Sequence, residues 1–187
     1  MPTNAKPFLT DVTELRRRAR QHLEKGAVTD SYKADVDTAI ELLQSALATE
    51  IVCVLRYKFH AVAATGIASE AIKAEFTQHA VEEEQHLDWI AERINQLGGK
   101  PNLNPEGLLT RAHSEYIEGE NLVDMIKVNL VAERVAIESY NEMIRWFSDK
   151  DTTTRRMLEK ILEMEEEHAN DMHDLLVVHE GHPMLKN

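Results

Sequence analysis

Two short stretches decide the reading of this chain: Glu83-Glu84-Gln85-His86 and Glu165-Glu166-Glu167-His168. Each is an E-x-x-H motif. Residues three apart share one face of a helix, so a carboxylate and an imidazole at this spacing can reach the same ion. A single E-x-x-H arises by chance in a chain this rich in Glu, so the weight falls on what surrounds the pair. Glu50 precedes the first motif by 33 positions and Glu133 precedes the second by 32. Tyr57 lies seven residues after Glu50, and Tyr140 lies seven after Glu133. The chain therefore reads as two helix pairs related by an approximate two-fold.

The neighbours on each helical face sharpen this. Leu43, Leu47, Cys53 and Val54 flank Glu50, and Phe76, Ala80, Leu87 and Ile90 flank Glu83. Ile126, Leu130, Ala136 and Ile137 flank Glu133, and Leu158, Ile161, Leu162 and Met172 flank Glu165. Four carboxylates are thus expected in the core stripes of four helices, with no Lys on those stripes. Buried carboxylates are costly unless paired or metal-bound. A two-metal site of Glu50, Glu83, His86, Glu133, Glu165 and His168 is the simplest resolution. Hard oxygen donors with two imidazoles favour iron or manganese, without ranking the two. Tyr57 and Tyr140 are either plain core tyrosines or hydrogen-bond donors to these ligands. His79 is either a partner of the site or a surface or interhelical histidine, Cys53 a small core residue, and His173, His179 and His182 solvated or contact residues.

The rest of the chain supports an all-α protein. The 187 residues suit one domain, with 43% apolar and 29% charged residues, only 7 Gly and 5 Pro. Five helices are expected: 12–25 with Asp11 and Glu14 at capping-box spacing, 31–64, 70–97 behind Ser69, 121–147 and 153–179. Residues 98–119, marked by Pro101, Pro105, Gly107 and Gly119, read as a long crossover between the second and third bundle helices. Residues 1–30 form an N-terminal extension and 31–187 the four-helix bundle.

Net charge is −12, but residues 1–33 carry +3 and the remainder −15. The acidic body should repel nucleic acid and attract cations. A lone cysteine excludes an intrachain disulfide and a cysteine-cage zinc site. No signal core is expected at the N-terminus, nor any stretch approaching the ~20 apolar residues of a membrane span, so a cytoplasmic protein is expected.

These motifs resemble the ferritin-like proteins, most closely bacterioferritin and the Dps-like proteins with a bacterioferritin-type site. The resemblance covers about residues 32–179 and includes Leu97-Gly98-Gly99-Lys100-Pro101-Asn102-Leu103. It implies a di-iron site on the same six residues, with Tyr57 beside it. Glu50 and Glu133 would be terminal ligands, Glu83 and Glu165 bridges, and His86 and His168 would each hold one ion. It further implies oxidation of Fe(II) by hydrogen peroxide or dioxygen, and iron storage inside a homo-oligomeric cage. Glu84 stands where bacterioferritin places its haem methionine, so no haem is expected. Only 19 residues follow His168, too few for the fifth helix of the larger shells, which makes a dodecamer the expected assembly. Three other readings share parts of the evidence. One is a different di-metal redox enzyme, peroxidase- or manganese-catalase-like. Another is a DNA-protecting Dps-type protein using Arg16, Arg17, Arg18 and Arg20, with DNA binding expected to be weak and lost near physiological salt. The third is a purely structural bundle.

Overall fold

The computed structural model describes residues 10–66 and 69–180, and among them every regular element is helical. The elements are α1 (Val12–Arg18), α2 (Val36–Ala63), α3 (Ser69–Gln96), α4 (Leu108–Arg111), α5 (Leu122–Phe147) and α6 (Thr152–Glu180). A single 3-10 turn, Leu23–Lys25, lies between α1 and α2. His182 lies outside the described residues.

Four long helices make the bundle, α2 packing chiefly on α3 and α5 on α6. Local chemistry sets their ends. Asp35 caps α2 by accepting from the Thr38 amide at 2.9 Å, which starts the helix at Val36 rather than at Ser31. Asn121 caps α5 in the same way, and Asp151 caps α6 through the Thr154 amide at 2.9 Å. At the end of α3 the Gly99 amide reaches Ile94 O and the Gly98 amide reaches Asn95 O, a Schellman stop. Gly98 has φ +87°, and a Cβ on Gly99 would come within 2.9 Å of Ile94. Both glycines are needed for the chain to leave α3.

The first helix is shorter than expected, ending at Arg18 instead of near Lys25. It buries no residue, and a helix without a packed face gains little from each added turn. Asp11 does cap it, but the reciprocal half of the capping box is replaced. Glu14 turns to Arg17 and Arg18, each at 2.7 Å.

The crossover is tied to α2 along its length. Gln44 donates to Lys100 O at 2.7 Å and accepts from the Asn102 amide at 2.9 Å, and the His113 amide donates to Thr49 at 3.0 Å. Short α4 buries Leu108 against Ala48 and Val52. Contrary to the sequence expectation, α2 is long and apolar enough to cross a membrane by length and composition. The α2 helix carries buried Glu50, Arg56 and His60 and sits at the centre of the bundle, so its apolarity is that of a core helix.

Two apolar clusters fill the bundle. One includes Leu43, Leu47, Ile90, Ile94, Phe147, Leu158 and Ile161. The other includes Tyr57, Ile72, Phe76, Met125, Ile126 and Met172. On each long helix the residues between those clusters are the acidic and imidazole residues singled out above. A polar belt thus crosses the middle of an otherwise apolar interior.

Candidate metal centre

The structure brings all six predicted residues together. Glu50 comes from α2, Glu83 and His86 from α3, Glu133 from α5, Glu165 and His168 from α6, and none is more than 2% exposed. All four Glu lie in the core, as their apolar neighbours imply. Two four-residue groups form, each with its donor atoms within 4.8 Å of one another: Glu50, Glu83, His86, Glu165 and Glu83, Glu133, Glu165, His168. Glu83 and Glu165 belong to both. Each group has one further carboxylate and one imidazole of its own.

Both imidazoles turn Nδ1 inward. His86 Nδ1 lies 3.0 Å from Glu165 and 3.4 Å from both Glu50 and Glu83. His168 Nδ1 lies 3.7 Å from Glu83 and 4.0 Å from Glu133 and Glu165. The outward nitrogens differ. His168 Nε2 meets Glu82 Oε2 at 2.9 Å, whereas His86 Nε2 meets the Met164 sulfur at 3.3 Å.

Tyr57 donates its hydroxyl proton to Glu133, and Tyr140 donates to Glu50. Each tyrosine is on the helix opposite its acceptor, so the repeated Glu–Tyr spacing becomes a crossed pair across the bundle. Burial raises both phenols well above their ordinary value, with the nearby carboxylates adding to it. They remain donors.

Ten buried side-chain nitrogen and oxygen atoms among the described residues lack a hydrogen-bond partner, and eight belong to these six residues. They are the facing oxygens of Glu50, Glu83, Glu133 and Glu165 and the two inward imidazole nitrogens. Orphaned buried polar atoms are rare and costly. Here they converge, and all are of the kind that binds hard divalent cations. The donor set fits two metal ions, with Glu83 and Glu165 able to reach both.

Without cations, protons must share the cluster. Burial, then Glu83, pushes the Glu50 carboxyl up to about 8. Burial raises Glu165 well above the carboxylate range, and burial with Glu83 raises Glu133. Glu83 moves the other way: against burial, His168 and His86 hold it well below. Against burial, the carboxylates Glu50 and Glu83 raise His86 to about 10, and Glu83 foremost raises His168 to about 9. In the metal-free cluster Glu83 is held as the charged carboxylate between the two imidazoles, while burial favours the neutral form of Glu50, Glu133 and Glu165.

Several partners of the site were not evident from sequence. Arg56 is fully buried on α2, bonded to Asn129 at 2.8 Å, Ser114 at 2.9 Å, Glu115 O at 3.1 Å and the Cys53 sulfur at 3.4 Å. The stripes lack Lys, yet a guanidinium stands beside them. Glu82 and Met164 back the two histidines. His79 is a buried partner of Tyr57 at 3.2 Å and stacks on His168 at 4.1 Å between ring centroids. Cys53 is a buried thiol, held protonated by burial. His173 is exposed, as expected. Glu84 faces outward to Lys58 at 3.3 Å.

Comparison with known proteins agrees with the all-helical bundle fold. A family model described as the ferritin-like domain matches residues 40–180. The chain is 31% identical over 145 residues to the DNA protection during starvation protein of Pyrococcus furiosus, covering 76% of this chain and 78% of that one. It is 27% identical over 130 residues to the bacterioferritin of Desulfovibrio desulfuricans, 69% of each chain. Among solved structures, a dodecameric thioferritin, the bacterioferritin-related protein of Bacteroides fragilis, superposes with a TM-score of 0.75 at 34% identity. That alignment covers 78% of this chain and 88% of the other.

Proposed function

This chain belongs to the ferritin-like domain family, and we propose that it oxidises Fe(II) at a dinuclear centre formed by Glu50, Glu83, His86, Glu133, Glu165 and His168 and stores the product as ferric mineral. The observation that carries the proposal is the convergence of eight buried, unpartnered oxygen and imidazole nitrogen atoms. Glu50 with His86 would hold one ion and Glu133 with His168 the other, while Glu83 and Glu165 bridge. Tyr140 and Tyr57 orient the two terminal carboxylates. The bound pair supplies one electron from each Fe(II), together enough to reduce one hydrogen peroxide to water or one dioxygen to peroxide. The closed apolar clusters on either side limit water at the site.

The dodecameric thioferritin of Bacteroides fragilis supports a closed homo-oligomer of twelve copies; residues 1–30 are read as an N-terminal extension with a basic helix, and Glu84 in the place of the haem methionine makes a haem-free protein the expectation. A cytoplasmic, iron-detoxifying role follows from the same reading. DNA coating is the weaker one, because Glu14 occupies Arg17 and Arg18 within α1 itself.

The deciding experiment is an anaerobic Fe(II) titration of metal-free protein, followed by hydrogen peroxide or oxygen. Saturation at about two ions per subunit and rapid growth of ferric absorbance are expected. Binding of one ion, or of zinc alone with no iron oxidation, would overturn the proposal.

A further inference from the structure

The residues behind the two histidines of the cluster stand at matching places in the repeat. Glu82 comes immediately before Glu83, and Met164 immediately before Glu165. Each reaches from its own helix to the histidine of the other motif. Glu82 on α3 meets His168 Nε2 at 2.9 Å, and Met164 on α6 meets His86 Nε2 at 3.3 Å. One outward nitrogen thus faces an oxygen and its counterpart faces a sulfur. A thioether has no proton to give, so the second contact is the His86 Nε2–H donating to Sδ, a weak acceptor. Met164 is only half-buried, whereas Met125, Met143 and Met172 are buried.

A thioether is also a group that a two-electron oxidant turns into an oxygen acceptor. Hydrogen peroxide does this in one step. A sulfur lone pair attacks one peroxide oxygen, and the S–O bond forms as the O–O bond breaks. The proton on the transferred oxygen passes to the departing hydroxide, which leaves as water. Sulfur loses two electrons and the peroxide gains them. The resulting sulfoxide is polar, on a side chain with enough rotatable bonds to draw the sulfur back. Its oxygen can then accept from Nε2–H at about 2.9 Å.

We propose that Met164 is a modification site at which hydrogen peroxide makes a sulfoxide, and that the new oxygen takes the place behind His86 that Glu82 holds behind His168. The modification itself stands on the position and accessibility of the sulfur; its effect on metal rests on the reading of the cluster as a metal centre. A stronger acceptor on Nε2–H makes Nδ1 the better donor. Exposure to peroxide therefore tightens the Glu50–His86 half and reduces the difference between the two halves. Enzymatic reduction of the sulfoxide restores the thioether, so the change can be set and reset.

The test treats the metal-free full chain with hydrogen peroxide, removes the peroxide, maps added oxygen by peptide mass spectrometry and then titrates Co(II) by calorimetry. Met157 is the internal control, half-buried on the same helix seven residues earlier and packed against the apolar cluster. Met164 should take up one oxygen at peroxide levels that leave Met125, Met143 and Met172 unchanged. One of the two Co(II) ions should then bind several-fold more tightly. Met164→Gln, which sets an amide oxygen behind His86, should bind that ion as tightly without peroxide, and Met164→Leu should show no gain after it. Oxidation of Met157 with Met164 untouched would overturn the modification site. A Met164 sulfoxide with unchanged Co(II) affinity, or an equal gain in Met164→Leu, would overturn the link to His86. Untreated protein that binds no Co(II) would instead overturn the metal centre, and the affinity gain with it, while added oxygen at Met164 would leave the modification site standing.

Discussion

The two halves of the central cluster have the same inner ligands and different surroundings. On the Glu50 side, His86 rests on a thioether, Met164, and Tyr140 serves Glu50. On the Glu133 side, His168 rests on a carboxylate, Glu82, and Tyr57 serves Glu133 while receiving His79. Arg56 adds its charge to this second half and, with Glu165 and His168, offsets part of the rise that burial gives Glu133. A sequence repeat thus builds two similar cages, but what lies behind each cage differs. A carboxylate behind a histidine fixes its tautomer and raises its basicity, whereas a thioether does little of either. The Glu133–His168 half should bind the first ion more tightly, and the Glu50–His86 half should hold the more exchangeable one.

Substitution at a shared ligand should abolish the comparison altogether. Glu165 faces both imidazoles, so Glu165→Ala removes a ligand from both ions. Rapid Fe(II) oxidation is expected to fall by at least about 100-fold in stopped-flow absorbance, with helical circular dichroism unchanged. Metal-free stability should hold or rise, because a buried carboxyl is removed from a crowded site. Oxidation at the unmodified rate would end the assignment of Glu165.

Stability against pH separates the halves next. Glu50 is raised to about 8, His168 to about 9 and His86 to about 10. All three hold protons in the folded metal-free state that the unfolded chain has released. Their contribution is fully present below the unfolded values, near 4.5 for Glu50 and 6.5 for the imidazoles, and is lost as pH climbs through the folded ones. Depressed Glu83 contributes above 4.5 and stays constant over this window. Metal-free protein should therefore lose stability on the order of a few kcal/mol between pH 6 and 9, read as a falling Tm. Bound metal should flatten the slope and release protons on binding. Glu50→Gln should remove more of the slope than Glu133→Gln, since Arg56 and His168 already oppose the rise at Glu133. A metal-free Tm that climbs with pH over this range would contradict the burial argument.

Much of this site was legible in the sequence because it is periodic. The E-x-x-H spacing, and a Glu–Tyr pair repeated at seven residues on the partner helices, single out six candidate ligands that the fold brings together, with the two tyrosines beside them. Glu82 was not legible. It is adjacent to Glu83 in sequence, on a different face of α3, and only the position of α6 brings it to His168. Arg56 was hidden for the same reason, since its bonds to Asn129 and Ser114 arise between helices. Helix ends followed local rules where a cap or glycine was decisive, as at Gly98 and Asn121. The segment before α2 did not, because Tyr32 reaches Asp151, 119 positions away, at 2.9 Å. That contact, with Arg93 on the same carboxylate at 3.0 Å, anchors a stretch that periodicity alone had extended into helix.

The outward partners of the two histidines give the next contrast. Glu82→Gln keeps the size of the side chain and removes the charge behind His168. It should weaken one of the two ions by about 10- to 100-fold in calorimetric titration with Co(II). Met164→Leu, an isosteric change behind His86, should weaken the other only a few-fold. If Met164→Leu proved the more damaging, the polarity of the backing group would not be what distinguishes the halves.

The smallest effects should come from the tyrosines, and they bear on the finest point of the asymmetry. Tyr140→Phe takes one neutral hydrogen bond from Glu50. Such a bond contributes about 0.5–1.5 kcal/mol net, so a two- to tenfold loss in affinity or initial oxidation rate is expected. Tyr57→Phe takes the same bond from Glu133 and also frees His79 Nδ1, which the phenol oxygen now accepts. With that partner gone, the ring that stacks on His168 at 4.1 Å loses one of its two anchors and keeps only Asp171 at 3.3 Å. Tyr57→Phe should therefore cost more than Tyr140→Phe. Equal losses in both variants would mean that the link from Tyr57 to His79 has no function beyond filling space.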